Sequence, residues 1–143
     1  MKINPLTGDF DIGERTLGPS LIETDFLRSE LGQVAKEVRR SGSRRYYEAW
    51  RRVRSDLEIG FTLRFFPDGP LERISAKFVK TGTRGSAWSK KIENEIKRFH
   101  YNWLRDQLGN PPYQFRWGKA FSILGPHWYS ANIIIDYARG TLR

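Results

Sequence analysis

Residues 57–65 read Leu-Glu-Ile-Gly-Phe-Thr-Leu-Arg-Phe, and residues 71–79 read Leu-Glu-Arg-Ile-Ser-Ala-Lys-Phe-Val. In the first segment Leu57, Ile59, Phe61, Leu63 and Phe65 alternate strictly with Glu58, Gly60, Thr62 and Arg64. Alternation with a period of two is the mark of a strand with one buried and one wet face. In the second segment Ile74, Ala76 and Phe78 share a face. Between them lies Phe66-Pro67-Asp68-Gly69. Proline presets φ at the first turn position and glycine accepts the left-handed one, so the two strands form a hairpin. A hairpin with one apolar face needs a cover.

The cover is expected from a helix running from about Ala87 to Leu108, with Ser86 or Ser89 as N-cap. Trp88, Ile92, Ile96, Phe99, Trp103 and Leu108 recur at helical spacing as one stripe. Lys91–Glu95 and Glu93–Lys97 form i,i+4 pairs on its outer side. Gly109 ends the helix, and Asn110-Pro111-Pro112 prevents its continuation. Two further strands follow. In residues 113–124 Phe115, Trp117, Phe121 and Ile123 share a face; in residues 129–138 Ala131, Ile133, Ile135 and Tyr137 do. Gly125-Pro126-His127 turns the chain between them.

Toward the N-terminus, Phe10, Ile12 and Leu17 sit among turn formers and suggest a short hairpin or arm. Thr24 or Asp25 caps a helix carrying Phe26, Leu27 and Leu31, with Gly32 as its C-cap. Residues 39–45 are polar and loop-like. Residues 45–54 fit strand or helix; as a strand they place Tyr47, Ala49 and Val53 on one face and Tyr46, Trp50 and Arg52 on the other. The expected architecture is α+β: an antiparallel sheet of about five strands covered by the long C-terminal-half helix, with a shorter N-terminal helix. The 143 residues suit a single domain, 1–143. With 14% aromatic residues the chain can fill a core without cross-links.

Composition narrows the chemistry. There is no cysteine, which removes disulfides, thiolate metal sites and Cys nucleophiles. The start, MKINPLTGDFDIG, lacks the apolar region of a signal peptide, and no apolar run approaches the roughly 20 residues of a membrane span. A cytoplasmic location is expected. The two histidines, His100 and His127, have no second ligand at metal spacing, and no nucleophile-elbow pattern occurs. Glu93 and Glu95 point to different sides of the helix. Glu58 and Glu72 meet cations in Arg64 and Arg73, and Asp136 falls on the exposed side of its strand. Thr81-Gly82-Thr83-Arg84-Gly85-Ser86 precedes a helix but lacks Walker spacing and its lysine. The expectation is a protein that is not an enzyme and needs no metal or cofactor.

Charge is the main anomaly. The net charge is +9. Arg39, Arg40, Arg44, Arg45, Arg51, Arg52 and Arg54 lie within residues 39–54 with only Glu48 against them, so this window alone carries +6. Tyr46, Tyr47 and Trp50 are interleaved. Arg39, Arg40, Arg44, Arg45, Tyr46, Trp50, Arg51, Arg52 and Arg54 are the candidate partner-binding residues. Arginine beside tryptophan and tyrosine suits an acidic protein surface. It also suits sequence-independent contact with phosphates and bases, the alternative reading.

Several stretches resemble a group of small bacterial proteins. They are residues 2–19 (KINPLTGDFDIGERTLGP), 24–32 (TDFLRSELG), 65–78 (FFPDGPLERISAKF), 86–123 (SAWSKKIENEIKRFHYNWLRDQLGNPPYQFRWGKAFSI) and 131–138 (ANIIIDYA). Such proteins look like immunity or accessory proteins of toxin systems. The resemblance implies a partner protein, a toxin among the candidates, and transfers no catalytic residue. It fails over residues 33–55, which hold the arginine cluster. Immunity proteins that block nucleases are usually acidic, so a chain of +9 implies a target with an acidic face.

Overall fold

A computed structural model describes residues 1–13, 15–41, 44–67, 69–83, 89–124 and 130–139, with backbone alone at 39–41. The strands of the 57–79 hairpin form as expected, but Gly69 is not in the left-handed conformation read for its turn: β6 (Leu57–Phe65) pairs antiparallel with β7 (Leu71–Lys80), with Phe61 opposite Ala76 and Leu63 opposite Ile74. Its turn residue Asp68 lies outside the described residues.

The sheet is larger than the five strands expected. Before the hairpin come β4 (Lys36–Ser41) and β5 (Arg44–Arg54). After it come β8 (Tyr113–Phe115), β9 (Gly118–Leu124) and β10 (Ala131–Tyr137). These make one seven-stranded antiparallel sheet in the order β4-β5-β6-β7-β10-β9-β8. Two short meanders are thus joined by the β7–β10 pairing, where Ile133 meets Ala76 and Ile135 meets Ile74. Residues 36–41 are strand where a loop was expected at 39–45. An edge strand needs no apolar face, so its polar composition hid it. Residues 44–54 are strand, not helix.

The expected strand over 113–124 breaks into two at Arg116–Trp117, with Phe115 pairing Gly118. The break undoes the shared face proposed for Phe115, Trp117, Phe121 and Ile123. Trp117 is buried on the core side, while Phe121 and Ile123 point the other way beside Ile134 and Asn132.

The N-terminal arm is a separate three-stranded sheet of β1 (Lys2–Ile3), β2 (Phe10–Asp11) and β3 (Thr16–Leu17). The N-terminal helix is two short ones, α1 (Glu23–Arg28) and α2 (Glu30–Val34), meeting at Ser29. The Ser29 hydroxyl accepts from the Gly32 N–H at 3.0 Å and so caps α2. Gly32 is therefore inside α2 rather than a C-cap. A Cβ there would lie 1.9 Å from the Phe26 carbonyl oxygen, so only glycine lets the helices meet this closely.

The long helix α3 is described over Lys90–Leu108, capped by Ser89, whose side chain accepts from the Ile92 N–H. The expected start near Ala87, with Ser86 and Trp88, lies outside the described residues, as does His127. Helix α3 packs on β1, β7, β9 and β10. Its buried line is Glu93, His100 and Leu104, with Trp103 and Leu108 packed on the core. Ile92 and Phe99, assigned to the buried stripe, are 46% and 37% exposed, Phe99 with its ring edge-on to Phe78. Among the described residues no helix is long and apolar enough to cross a membrane.

Glu93 and His100 explain why the stripe is rotated. Where the β7–β10 ladder ends, the His100 Nε2 accepts the Phe78 N–H at 3.0 Å. Glu93 accepts the Ala131 N–H at 2.8 Å and meets the Lys77 ammonium at 2.7 Å. The predicted Glu93–Lys97 pair therefore gives way to a buried one. Two buried backbone donors that the sheet leaves unpaired are satisfied from the helix, as burial requires. An accepting Nε2 puts the His100 proton on Nδ1, which is buried without a partner among the described residues. Burial, with the Lys77 charge as a second cause, lowers the His100 pKa to about 3.

One contiguous core fills the covered side, from Ile3, Phe10 and Leu17 through Phe61 and Ile74 to Ile135 and Tyr137. Phe10 ties the arm to the sheet, edge-on to Phe61 and Trp103 with centroids 5.8 Å away in each case.

Two outcomes test this packing. Phe10→Ala is expected to cost about 3–5 kcal/mol in urea unfolding, with protease cleavage appearing first in residues 1–20. For His100 the native state excludes a proton that the unfolded chain binds below about 6.5. Its contribution is complete above that pH and is lost as pH falls toward 3, at up to about 1.4 kcal/mol per pH unit. The drop in stability between pH 7 and pH 5.5 should shrink in His100→Gln, which keeps an acceptor but does not titrate.

Candidate interaction face

The helices and the arm cover one side of the sheet; alternation along each strand leaves a second side. Register aligns one row of that side across all seven strands: Arg39, Tyr46, Arg64, Arg73, Asp136, Lys119 and Gln114. Like charges directly opposite on neighbouring strands destabilise a sheet. Arg64 and Arg73 are such a pair, and each is drawn to a carboxylate. The Arg73 guanidinium forks onto Asp136, with one bond of 2.9 Å. Arg64 lies 2.7 Å from Glu72 and over the Tyr46 ring. Glu72 also receives a forked pair from Arg44 at 2.7 and 3.0 Å, which raises the Arg44 pKa. Asp136, expected to be exposed, is partly buried by its pairing.

The next rows are less charged. Glu48, Thr62, Ser75, Ile134 and Phe121 align in one, and Trp50 lies opposite Gly60 in another. Ile134 is buried although it is on the uncovered side and outside the main core. It floors a depression of about 350 Å³ lined by Val38, Tyr46, Thr62, Arg64, Arg73, Ser75, Ile123 and Asn132. Trp50 lies flat across β6. A Cβ on Gly60 would stand 2.8 Å from its ring, so the glycine makes room for the indole. The indole N–H donates to Glu48 at 3.1 Å.

The candidate residues read from the sequence divide between the two sides. Tyr46, Trp50 and the exposed Arg52 are on the open face. Arg44 reaches Glu72 from the same side. Arg45 turns toward α1, where Glu23 meets it at 3.7 Å and also accepts the buried Tyr47 hydroxyl. Arg51 shares its side with buried Tyr47 and Ala49 and is partly buried. Arg54 follows a bulge and pairs with Asp56 at 2.6 Å, holding that carboxyl below its usual range. Arg39 and Arg40 lie on β4, with backbone alone described. The cluster is thus one hairpin at the sheet edge rather than one patch.

Sequence reading missed Lys119, Phe121, Ile123, Asn132 and Ile134 as surface of this face and saw Arg64 and Arg73 only as partners for acids. Their sole signal in the sequence is alternation, which places them opposite buried neighbours. Among the described residues no three His, Cys, Asp or Glu side chains gather as metal ligands.

Compared with protein families and with curated proteins, the sequence matches none. Its fold is similar to a chain of the solved complex described as "Rhs1-CT in complex with cognate immunity protein RhsI1". The TM-score is 0.63 at 14% identity, over 100% of this chain and 90% of that one.

The open face yields a direct test. Gly60→Val should push the Trp50 indole off β6 while leaving the fold intact. The change in tryptophan emission is expected to be a shift to longer wavelength, absent when the same substitution is made in Trp50→Phe.

Proposed function

We propose that this chain is an immunity-type interaction module that binds and blocks one protein partner, a toxin, through the uncovered face of its sheet. The surface it meets on that partner is acidic, and the chain performs no reaction of its own. The observation carrying this reading is the cationic row across the open face. Arg44, Arg64, Arg73 and Lys119 stand on that face against Glu48, Glu72 and Asp136, with Tyr46, Trp50, Ile123 and Phe121 as apolar anchors beside them. Arginine with tryptophan and tyrosine is the composition of interface hot spots, and excess positive charge steers association toward an acidic surface. The fold shared with a chain of an immunity complex supports the same reading. The nucleic-acid alternative has less behind it. The fold comparison offers it no support, since the solved complex it points to is with an immunity protein.

The test is co-expression with candidate toxins drawn from the genes that neighbour this chain's own. The native chain should restore growth and co-purify with the toxin. Trp50→Ala and Arg52→Glu should each weaken the complex by about 2 kcal/mol, roughly thirtyfold, without lowering the melting temperature. Lys97→Glu, on the outer side of α3, should leave it unchanged. Unaltered binding by both open-face variants, or no protection from the toxin, would refute the proposal. Arg51 is a poor choice for this experiment because it is partly buried.

A further inference from the structure

The two edges of the seven-stranded sheet are unlike. At one end β8 has three residues and follows Pro111 and Pro112, which have no N–H to offer. That is a blunted edge. At the other end β4 has six residues, Lys36–Ser41, none of them proline. Among the described residues no strand pairs with its outer side.

Register fixes which groups face outward there. Ser41 pairs with Arg44 across a two-residue connection, so it is the pair that exchanges hydrogen bonds. Its neighbour, Arg40 opposite Arg45, is then the non-bonded pair, and the Arg40 N–H and C=O point away from β5. Further along, Glu37 opposes Tyr47 and Arg39 opposes Tyr46, so Val38 is the extra residue of a bulge. Val38 is 44% exposed and lines the depression on the open face. A chain laid along β4 therefore runs directly onto that face. Val34, 71% exposed just before β4, adds a second apolar contact.

Charge decides what can lie there. Residues 36–54 carry eight lysines and arginines against Glu37 and Glu48, a net +6. A second copy would bring the same charge to the same edge and be repelled. An acidic chain would be attracted. We infer that the outer edge of β4 takes an extended, acidic segment of the protein partner as an eighth, main-chain-bonded strand. This mode of recognition draws affinity from the backbone and selectivity from alternate side chains. The inference rests on the protein-binding reading above but concerns a different part of the surface.

The experiment uses the full chain and a blocked peptide of about ten residues alternating glutamate and valine. Two controls share its length: lysine in place of glutamate, and the acidic peptide N-methylated at every second residue. The acidic peptide should bind saturably, at least about tenfold more tightly than either control, and slow hydrogen exchange at the Arg40 amide. Arg40→Pro, which removes the outward N–H and keeps an extended backbone, should abolish the complex. Lys97→Glu, on the outer side of α3, should leave it intact. Equal binding of the N-methylated peptide, no slowing at Arg40, or no binding at all would overturn the inference. An absent peptide complex together with toxin binding that is lost in Trp50→Ala would overturn the edge alone and leave the proposed function standing.

Discussion

The β7–β10 pairing is the contact on which the rest of the structure depends. It joins strands from opposite sides of α3 in sequence and turns two small meanders into one sheet. Joined, they present a continuous surface for α3 and the arm to cover. The pairing is also where sheet geometry leaves donors exposed to burial. Phe78 and Ala131 have N–H groups that no strand takes, and the helix supplies His100 and Glu93 instead. The polar residues on the buried side of α3 are thus a consequence of where the ladder stops. A helix carrying only apolar residues would bury better and leave two amides unpaired, at about 1–3 kcal/mol each.

Covering one side of an antiparallel sheet leaves the other without a helix over it among the described residues, and each strand contributes alternate residues to both. The same strands β6, β7 and β10 that hold Phe61, Ile74 and Ile133 in the core hold Arg64, Arg73 and Asp136 outside it. Placing Arg64 against Arg73 costs stability, and Glu72 and Asp136 offset that cost. The arrangement is stable as it stands. Its apolar rim of Tyr46, Trp50, Ile123 and Phe121 is half-buried against the strands.

How much of this is legible in the sequence follows from the range of the interactions. The β6–β7 hairpin is local, and its alternation identifies both strands, although Gly69 does not take the left-handed conformation read for its turn. The extent of α3 is nearly as clear, because Ser89 and Gly109 cap it. The rotation of its buried side is not, because Glu93 and His100 turn inward for donors on strands distant in sequence. The arginine cluster is visible as composition, yet its division between two sides of β5 depends on pairing with α1 and β6. The row from Arg39 to Gln114 draws one residue from each of seven strands. No window of sequence contains it. Strand β4 was unreadable for a further reason: an edge strand is fixed by its neighbour's backbone, and its own side chains can be entirely polar.

This division between covered and open sides sets how the surface can change. Substituting Trp50, Phe121 or Ile123 alters what the face offers while the core residues of the same strands stay in place. The charged positions are less free. Glu72 serves both Arg44 and Arg64, so removing it leaves two guanidiniums facing a third at Arg73. Removing Asp136 strands Arg73 between Arg64 and Lys119. The carboxylates are therefore the constrained members of the row, and substitutions among the aromatics at its rim disturb fewer charges. A surface of this kind can be retuned one rim residue at a time, provided the two acids that hold its centre together are kept.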